Sequence, residues 1–280
     1  LVRLPGGEHV PVRAAFLRFA VSGPHPAHPP AARSWLTPAI LAQLRSDPWF
    51  SHLPPEFEAE LLAVAVQRRL QAGEHLFFRG DPPDGLYAIL EGSLRISGVT
   101  EAGKEAILSL IDAPAWFGEI SAFDQLPRTH NACAEGAVRV LHIPHADLMA
   151  LLARQPLFWR ELGVLMALRM RLAFINMEDM ALLPSEVRLA RRLVWLVEAS
   201  GQVADVGPWV VPISQTQLGM MLSLSRQTTN QAVSALASQG LVRVAYGRIE
   251  VLDRVRLMEA AALSDTERQI LAQLRASERR

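Results

Sequence analysis

The chain has 280 residues, half of them hydrophobic, with 28 basic side chains balanced by 28 acidic ones. That is enough apolar material for two packed domains, and the zero net charge gives no global basic field of the kind that announces nucleic acid. A single cysteine, Cys133, excludes a disulfide framework, a structural cysteine-zinc site and a cysteine-ligated iron–sulfur cluster.

Residues 1–34 are rich in Pro, Gly and His and lack the sustained apolar core of a signal peptide. They are expected to be a mostly disordered extension that is not needed for function. The leading Leu1 reads as an alternative start codon taken literally, or as a start placed too far upstream. Organised structure begins near Trp35. Pro38–Leu44 and Glu56–Val66 read as short helices, the second after the breaker pair Pro54-Pro55. From about Arg69 to Ile143 the pattern changes to short strands. Leu70, Gly73, Phe77, Gly80, Asp84, Tyr87, Ile89, Gly92, Leu94 and Ile96 alternate apolar with turn residues, as in a small β-barrel. A cupin-like sugar or metal site is the competing reading. The metal form is disfavoured because His75, His130, His142 and His145 lack a clustered ligand spacing with carboxylates, so no metal is expected.

Pro156–Leu183 reads as one long helix. Leu162, Leu165, Leu168, Leu172 and Ile175 recur every three or four residues, and Met166, Met170, Ala173, Met177 and Met180 add a second apolar flank. One stripe would dock on the barrel; a surface this wide calls for a second partner. The same helix of another subunit is the economical choice, giving a two-fold parallel homodimer. A fully buried helix in a monomer is the alternative. Arg169, Arg171, Asn176, Glu178 and Asp179 make the stretch too polar to cross a membrane. Leu183-Pro184 ends the helix and forms a hinge, after which Ser185 caps a helix over Glu186–Glu198.

Ser214 with Gln217 forms a capping box that starts another helix, whose buried side is Leu218, Met221 and Leu222. A turn through Ser223 and Leu224 follows, and Ser225 caps a second helix that stops at Gly240. Arg226, Gln227, Asn230 and Gln231 fall on roughly one face of its N-terminal end. Leu241–Val244 and Ile249–Val251 flank Tyr246-Gly247-Arg248 as a hairpin, with Arg243 and Arg248 placed for phosphates. Between Pro184 and Val255 there are seven Arg against five acidic residues, a weak positive bias. The tail holds another capping box, Ser264 with Glu267, before Ile270, Leu271 and Leu274, and reads as a short helix without an assigned role.

Ile213, Leu218, Leu222, Ser225, Arg226 and Thr228 fit the pattern I-S-x-x-x-L-A-x-x-L-G-x-S-R-x-T-V-x-R-x-L. In this the segment resembles the C-terminal domain of the Crp/Fnr family of bacterial transcription regulators. Ser223 stands for the usual turn Gly, Thr229 for Val and Gln231 for Arg. Upstream, the spacing L-x-x-G-E-x-x-F-x-x-G-D-x-x-D-G-L-Y-x-I-x-x-G from Leu70 to Gly92 resembles the cyclic-nucleotide-binding domain. Phe117-Gly118-Glu119-Ile120-Ser121 with Leu126-Pro127-Arg128-Thr129 is similar to that domain's phosphate-binding cassette, although His130-Asn131 follows where Ala is usual. The chemistry is sensible. An ionised Glu accepts from a ribose hydroxyl, an Arg forks onto a phosphate, and backbone N–H groups after Gly118 attract an anion. Glu119 and Arg128 are further expected to neutralise one another.

The resemblance implies an α+β chain. Residues 35–155 form a jelly-roll sensor barrel, 156–183 a dimerisation helix and 184–256 a winged helix-turn-helix, with 257–280 as a tail. It implies a cytoplasmic transcription regulator, not an enzyme. Its partners would be a second copy, a pseudo-palindromic double-stranded DNA site and, as a candidate, RNA polymerase. Effector-binding residues would be Gly118, Glu119, Ile120, Ser121, Arg128 and Thr129. DNA-binding residues would be Ser225, Arg226, Gln227, Asn230, Gln231, Arg243 and Arg248. The candidate effectors are cyclic AMP, cyclic GMP and cyclic di-GMP. Ala173-Phe174 occupies the place of the Thr-Ser pair with which cyclic-AMP-responsive members face the adenine, which weighs against cyclic AMP. A regulator that binds DNA without ligand and keeps the barrel as scaffold is the alternative.

Overall fold

The computed structural model describes Val2–Arg3, His9–Val10 and residues 35–99, 105–199 and 208–276. The first unit of the chain holds two short strands, β1 (Val2–Arg3) and β2 (His9–Val10), paired antiparallel with Val2 opposite Val10. Facing β-branched residues suit such a pair. The rest of that extension lies outside the described residues.

The second unit opens with α1 (Pro38–Arg45), capped by the Thr37 hydroxyl and started by proline at its first position. A 3-10 turn (Phe50–His52) leads to α2 (Pro55–Val64). This helix stops two residues short of the expected Val66. Ala65 is already extended, and Val66 is taken as the first rung of β3 against His142.

Ten elements build the barrel. They are β3 (Val66–Leu70), β4 (His75–Phe77), β5 (Gly85–Glu91), β6 (Ser93–Val99), β7 (Glu105–Asp112), β8 (Ala115–Phe117), α3 (Ile120–Asp124), β9 (Asn131–Ala134), β10 (Val138–Pro144) and α4 (His145–Arg154). Two antiparallel four-stranded sheets face each other, ordered β3-β10-β5-β8 and β4-β9-β6-β7. Six consecutive residues of β5, Gly85–Leu90, are buried. One face of that strand lines the barrel interior, and the other is covered by α1 and α4, which is why it reads as an unbroken apolar run. Trp116 stacks on Phe50 at 5.0 Å between ring centroids, tying the N-terminal helices to β8.

Next comes α5 (Phe158–Leu182), whose two halves differ. Phe158, Leu162 and Leu165 are buried against the barrel side, and Phe158 stacks on Phe57. Toward the C-terminus, Met170, Phe174, Met177, Met180 and Leu182 stand exposed. Leu183 is extended and ends the helix before Pro184.

The C-terminal portion comprises α6 (Ser185–Ala199), β11 (Trp209–Val211), α7 (Gln215–Leu222), α8 (Arg226–Ser238), β12 (Val242–Ala245), β13 (Arg248–Val251), α9 (Arg254–Ala260) and α10 (Asp265–Ala276). The expected two-stranded wing is in fact a three-stranded sheet, β11-β13-β12. Helix α9 runs across the expected boundary at 256 and α10 follows the Ser264 cap, while Leu257, Ala261, Leu263 and Leu271 sit in the same core as Leu193, Leu218, Val233 and Leu236. Ile107 of β7 joins that core, and Gln217 donates to Glu135 at 2.8 Å, so barrel and C-terminal portion touch directly.

Candidate effector pocket and DNA-binding surface

Strand β8 delivers the chain to Gly118, whose φ of +103° suits glycine. A Cβ there would also lie 2.9 Å from the Gly85 carbonyl oxygen, so the close approach excludes a side chain. The chain then turns into α3, with Glu119 and Ser121 buried and Ile120 half exposed. Arg128 comes from the loop after α3 and is 6% exposed. Its guanidinium lies over the Phe77 ring, 4.5 Å from the centroid. Thr129 is exposed and shares a hydrogen bond with His130 at 2.9 Å.

The structure corrects the expected Glu119–Arg128 neutralisation. Arg128 pairs instead with Asp84 through Nε and Nη2, at 3.2 and 2.5 Å. It also donates to the Gly85 carbonyl at 2.6 Å and to the Gly118 carbonyl at 3.2 Å. Glu119 faces Arg169 of α5 at 3.5 Å, and Arg169 donates in turn to the Trp116 carbonyl. Asp84 and Arg169 are thus the charge partners of the cassette residues, and the cassette pattern did not single them out. The second Asp of the G-D-x-x-D-G run and the Arg breaking the apolar face of α5 were the available signals.

Around Asp84 the network continues. The Tyr87 hydroxyl donates to its other oxygen, and the His142 ring nitrogen meets its backbone carbonyl at 2.7 Å. Burial, reinforced by the Asp84 carboxylate, pushes the Tyr87 phenol above its ordinary range. Burial likewise lowers His142, which stacks on Tyr87. The cassette region therefore holds two Arg–carboxylate pairs, one at Arg128 and one reaching the long helix. Ala173 and Phe174 both lie on the exposed C-terminal half of α5. Among the described residues no group of His, Cys, Asp and Glu could hold a metal ion. Nor is any described helix long and apolar enough to cross a membrane.

In the C-terminal portion the expected capping box is formed. Gln217 N donates to Ser214 Oγ at 3.2 Å, and Ser214 N donates to Gln217 Oε1 at 2.9 Å. Helix α7 ends at Ser223, held in the left-handed region with φ 54° and ψ 38°. Ser225 then caps α8 by accepting from Thr228 N at 3.1 Å. Thr229, where the pattern has Val, is buried, but its hydroxyl is satisfied by the Ser225 carbonyl at 2.9 Å. Gly219 lets α7 and α8 approach at this point: a Cβ there would lie 2.7 Å from Thr229 Oγ1. Sequence reasoning did not select this glycine.

Ser225, Arg226, Gln227, Asn230 and Gln231 are all exposed on the first turns of α8. The helix is fixed beneath them by Thr229, Ala232, Val233 and Leu236. On the wing, Arg243 and Arg248 are exposed but share one carboxylate. Glu250 accepts from Arg243 at 2.7 Å through Nε and from Arg248 at 3.1 Å. Hydrogen bonding from Arg243 holds the Glu250 carboxyl below its usual value. The wing thus carries one surplus positive charge where two free guanidinium groups were expected.

Comparison with known proteins agrees with this division. Residues 67–155 match the cyclic nucleotide-binding domain family and residues 187–260 the Crp-like helix-turn-helix domain family. The chain is 31% identical over 219 residues to the cyclic AMP receptor protein of Thermus thermophilus, covering 78% of this chain and 98% of that one. It is 28% identical over 204 residues to a CRP-like cAMP-activated global transcriptional regulator of Mycobacterium tuberculosis, covering 71% and 91%. The crystal structure of a CRP/FNR family transcriptional regulator from Thermus thermophilus superimposes with a TM-score of 0.60 at 26% identity, over 71% of this chain and 99% of the other.

Proposed function

Because this chain belongs to the Crp/Fnr family of transcription regulators, we propose that it is a dimeric, sequence-specific DNA reader. In this reading a small effector in the N-terminal barrel sets its affinity for DNA. The observation that carries the reading is the exposed row Ser225, Arg226, Gln227, Asn230 and Gln231 on a helix whose opposite face is locked into the core. Such a row reaches base edges in the major groove: Arg226 suits guanine O6 and N7, and Gln227 suits an adenine edge. Arg243 and Arg248 contribute to phosphate contact with a charge reduced by Glu250. The exposed face of Met170, Phe174 and Met177 supports pairing of α5 with the same helix of a second copy. Two recognition helices would then sit about one helical turn apart on a pseudo-palindromic site. Work on the bacterial chromosome is cytoplasmic, and RNA polymerase is the candidate partner there.

For the effector, a cyclic nucleotide matches the pocket's chemistry. Glu119 would accept from a ribose hydroxyl. The N–H groups after Gly118, with Ile120 and Ser121 at the start of α3, and the Thr129 hydroxyl would surround the phosphate. Arg128 would turn to that phosphate from Asp84. Engagement of Glu119 would change its pairing with Arg169, passing the event to α5 and the Leu183-Pro184 hinge. Relatives described as cAMP-activated support the nucleotide class. Cyclic AMP itself is disfavoured by Ala173-Phe174, which offer the adenine no hydroxyl; cyclic GMP and cyclic di-GMP stand beside it.

A second reading has its own support: Arg128 is already satisfied by Asp84 and two carbonyls, as in a barrel kept as scaffold. Calorimetry with the three nucleotides, run beside operator binding, separates the two. Heat with one of them and a shift in operator affinity supports the sensor. No heat with any, and intact operator binding, leaves the ligand-independent regulator.

A further inference from the structure

The tail's capping box does more than start α10. Glu267 uses one carboxylate oxygen to accept from Ser264 N and Oγ, at 2.6 and 2.7 Å. Its other oxygen accepts from Arg191 Nη1 of α6 at 2.6 Å. The same Nη1 donates to Asp179, in the last turn of the long helix α5, at 2.5 Å. Arg191 is completed by the carbonyls of Ala261 and Ala262, at 2.8 and 2.7 Å. Ala262 takes a left-handed φ of 46°, a costly conformation for a residue with a Cβ. There the chain reverses so that α10 returns onto α6 and both carbonyls meet the guanidinium. Arg191, Asp179 and Glu267 are each at most 9% exposed. One guanidinium here faces two carboxylates, so the cluster is set by hydrogen-bond geometry more than by charge balance: losing either acid weakens the hold on Arg191, and losing Arg191 leaves two buried acids opposed.

We propose that the C-terminal helix is an orientation clamp for the DNA-binding portion, with Arg191 as its positioning residue. Asp179 belongs to the helix before the Leu183-Pro184 hinge, Arg191 to the helix after it, and Glu267 to the tail. One guanidinium therefore bridges the hinge and is locked from behind by α10. The Crp-like helix-turn-helix match ends at residue 260, so α10 lies outside it. The clamp fixes the angle at which α6, and the recognition helix packed on it, leaves the long helix. It rests on the dimeric-reader reading only for its consequence on DNA: a fixed angle means a fixed distance between half-sites.

The test uses the full chain with Glu267→Gln, Asp179→Asn and both together. Hydrogen exchange needs no DNA. The clamp requires amides of residues 180–188 and 262–270 to exchange roughly fivefold faster or more in the variants, with residues 226–238 unchanged. Unchanged exchange at the hinge, or a rise spread evenly through the C-terminal portion, overturns it. On DNA, palindromes with the half-sites moved one base pair closer or farther are compared with the preferred spacing. The variants should lose spacing discrimination by about fivefold or more; an equal loss at every spacing overturns the positioning role, since simple destabilisation does that. A wild-type chain that binds no palindrome, with the expected exchange pattern intact, refutes the DNA-reader reading while supporting the clamp.

Discussion

Gly219 offers the sharpest check on how the recognition helix is held. Gly219→Ala would place a Cβ 2.7 Å from Thr229 Oγ1, 3.5 Å from the Leu224 carbonyl oxygen and 3.6 Å from Thr229 Cβ. Thr229 cannot simply swing away, because it is 1% exposed and its hydroxyl donates to the Ser225 carbonyl. Alanine gains about 1 kcal/mol in helix propensity over glycine. Against that, overpacking a tight contact costs about 1–3 kcal/mol, and breaking the hydroxyl's bond about 1–3 kcal/mol more if Thr229 rotates. The net expectation is destabilisation of the C-terminal portion by about 2 kcal/mol, with α8 displaced and specific operator affinity reduced. Urea unfolding of the single variants and of Gly219→Ala with Thr229→Ala gives the assay, since removing the hydroxyl vacates the space. The reasoning fails if Gly219→Ala is as stable as the parent, or if Thr229→Ala does not relieve the loss.

Ser223→Gly removes a left-handed serine at the turn between α7 and α8; it should raise stability by roughly 0.5–1 kcal/mol, seen as a higher urea midpoint at unchanged slope. Burial lifts the Asp47 carboxyl from 3.8 to about 6, against the hydrogen bond it accepts from Phe50 N. The folded chain therefore holds that proton more tightly than the unfolded chain. The stability it contributes is full below pH 3.8 and is lost as pH rises through 6. The loss is at most about 3 kcal/mol, and Asp47→Asn should flatten this part of the pH–stability curve measured by urea unfolding. Arg226→Ala should cost roughly 1–3 kcal/mol on the specific operator and little on random DNA, measured by fluorescence anisotropy; equal losses would show that Arg226 touches only phosphate.

Much of the C-terminal portion was legible from local signals. Ser214 with Gln217, Ser225 and Ser264 with Glu267 each satisfy helix N–H groups within three residues, so the caps depend on almost nothing distant. The exposed row on α8 follows from helical periodicity alone. By contrast β11 was missed because three apolar residues, Trp209–Val211, carry no readable period, and their strand identity comes from pairing with β13.

The candidate effector site divides along the same line. Residue types at fixed spacing single out Gly118, Glu119 and Arg128 as candidates, because the chemistry of a phosphate and a hydroxyl restricts which side chains serve. Which carboxylate meets which guanidinium was not encoded at that range. Asp84 reaches Arg128 because Gly85 opens a strand beside the loop, and Arg169 reaches Glu119 because α5 lies across β8. The Arg191 cluster is the extreme case, gathering Asp179, Glu267 and two carbonyls from three segments. Hydrogen bonds and propensities act over a few residues and can be read in order along the chain. Charge partners are chosen by proximity after burial, and proximity between distant segments exists only once the sheets and helices have packed.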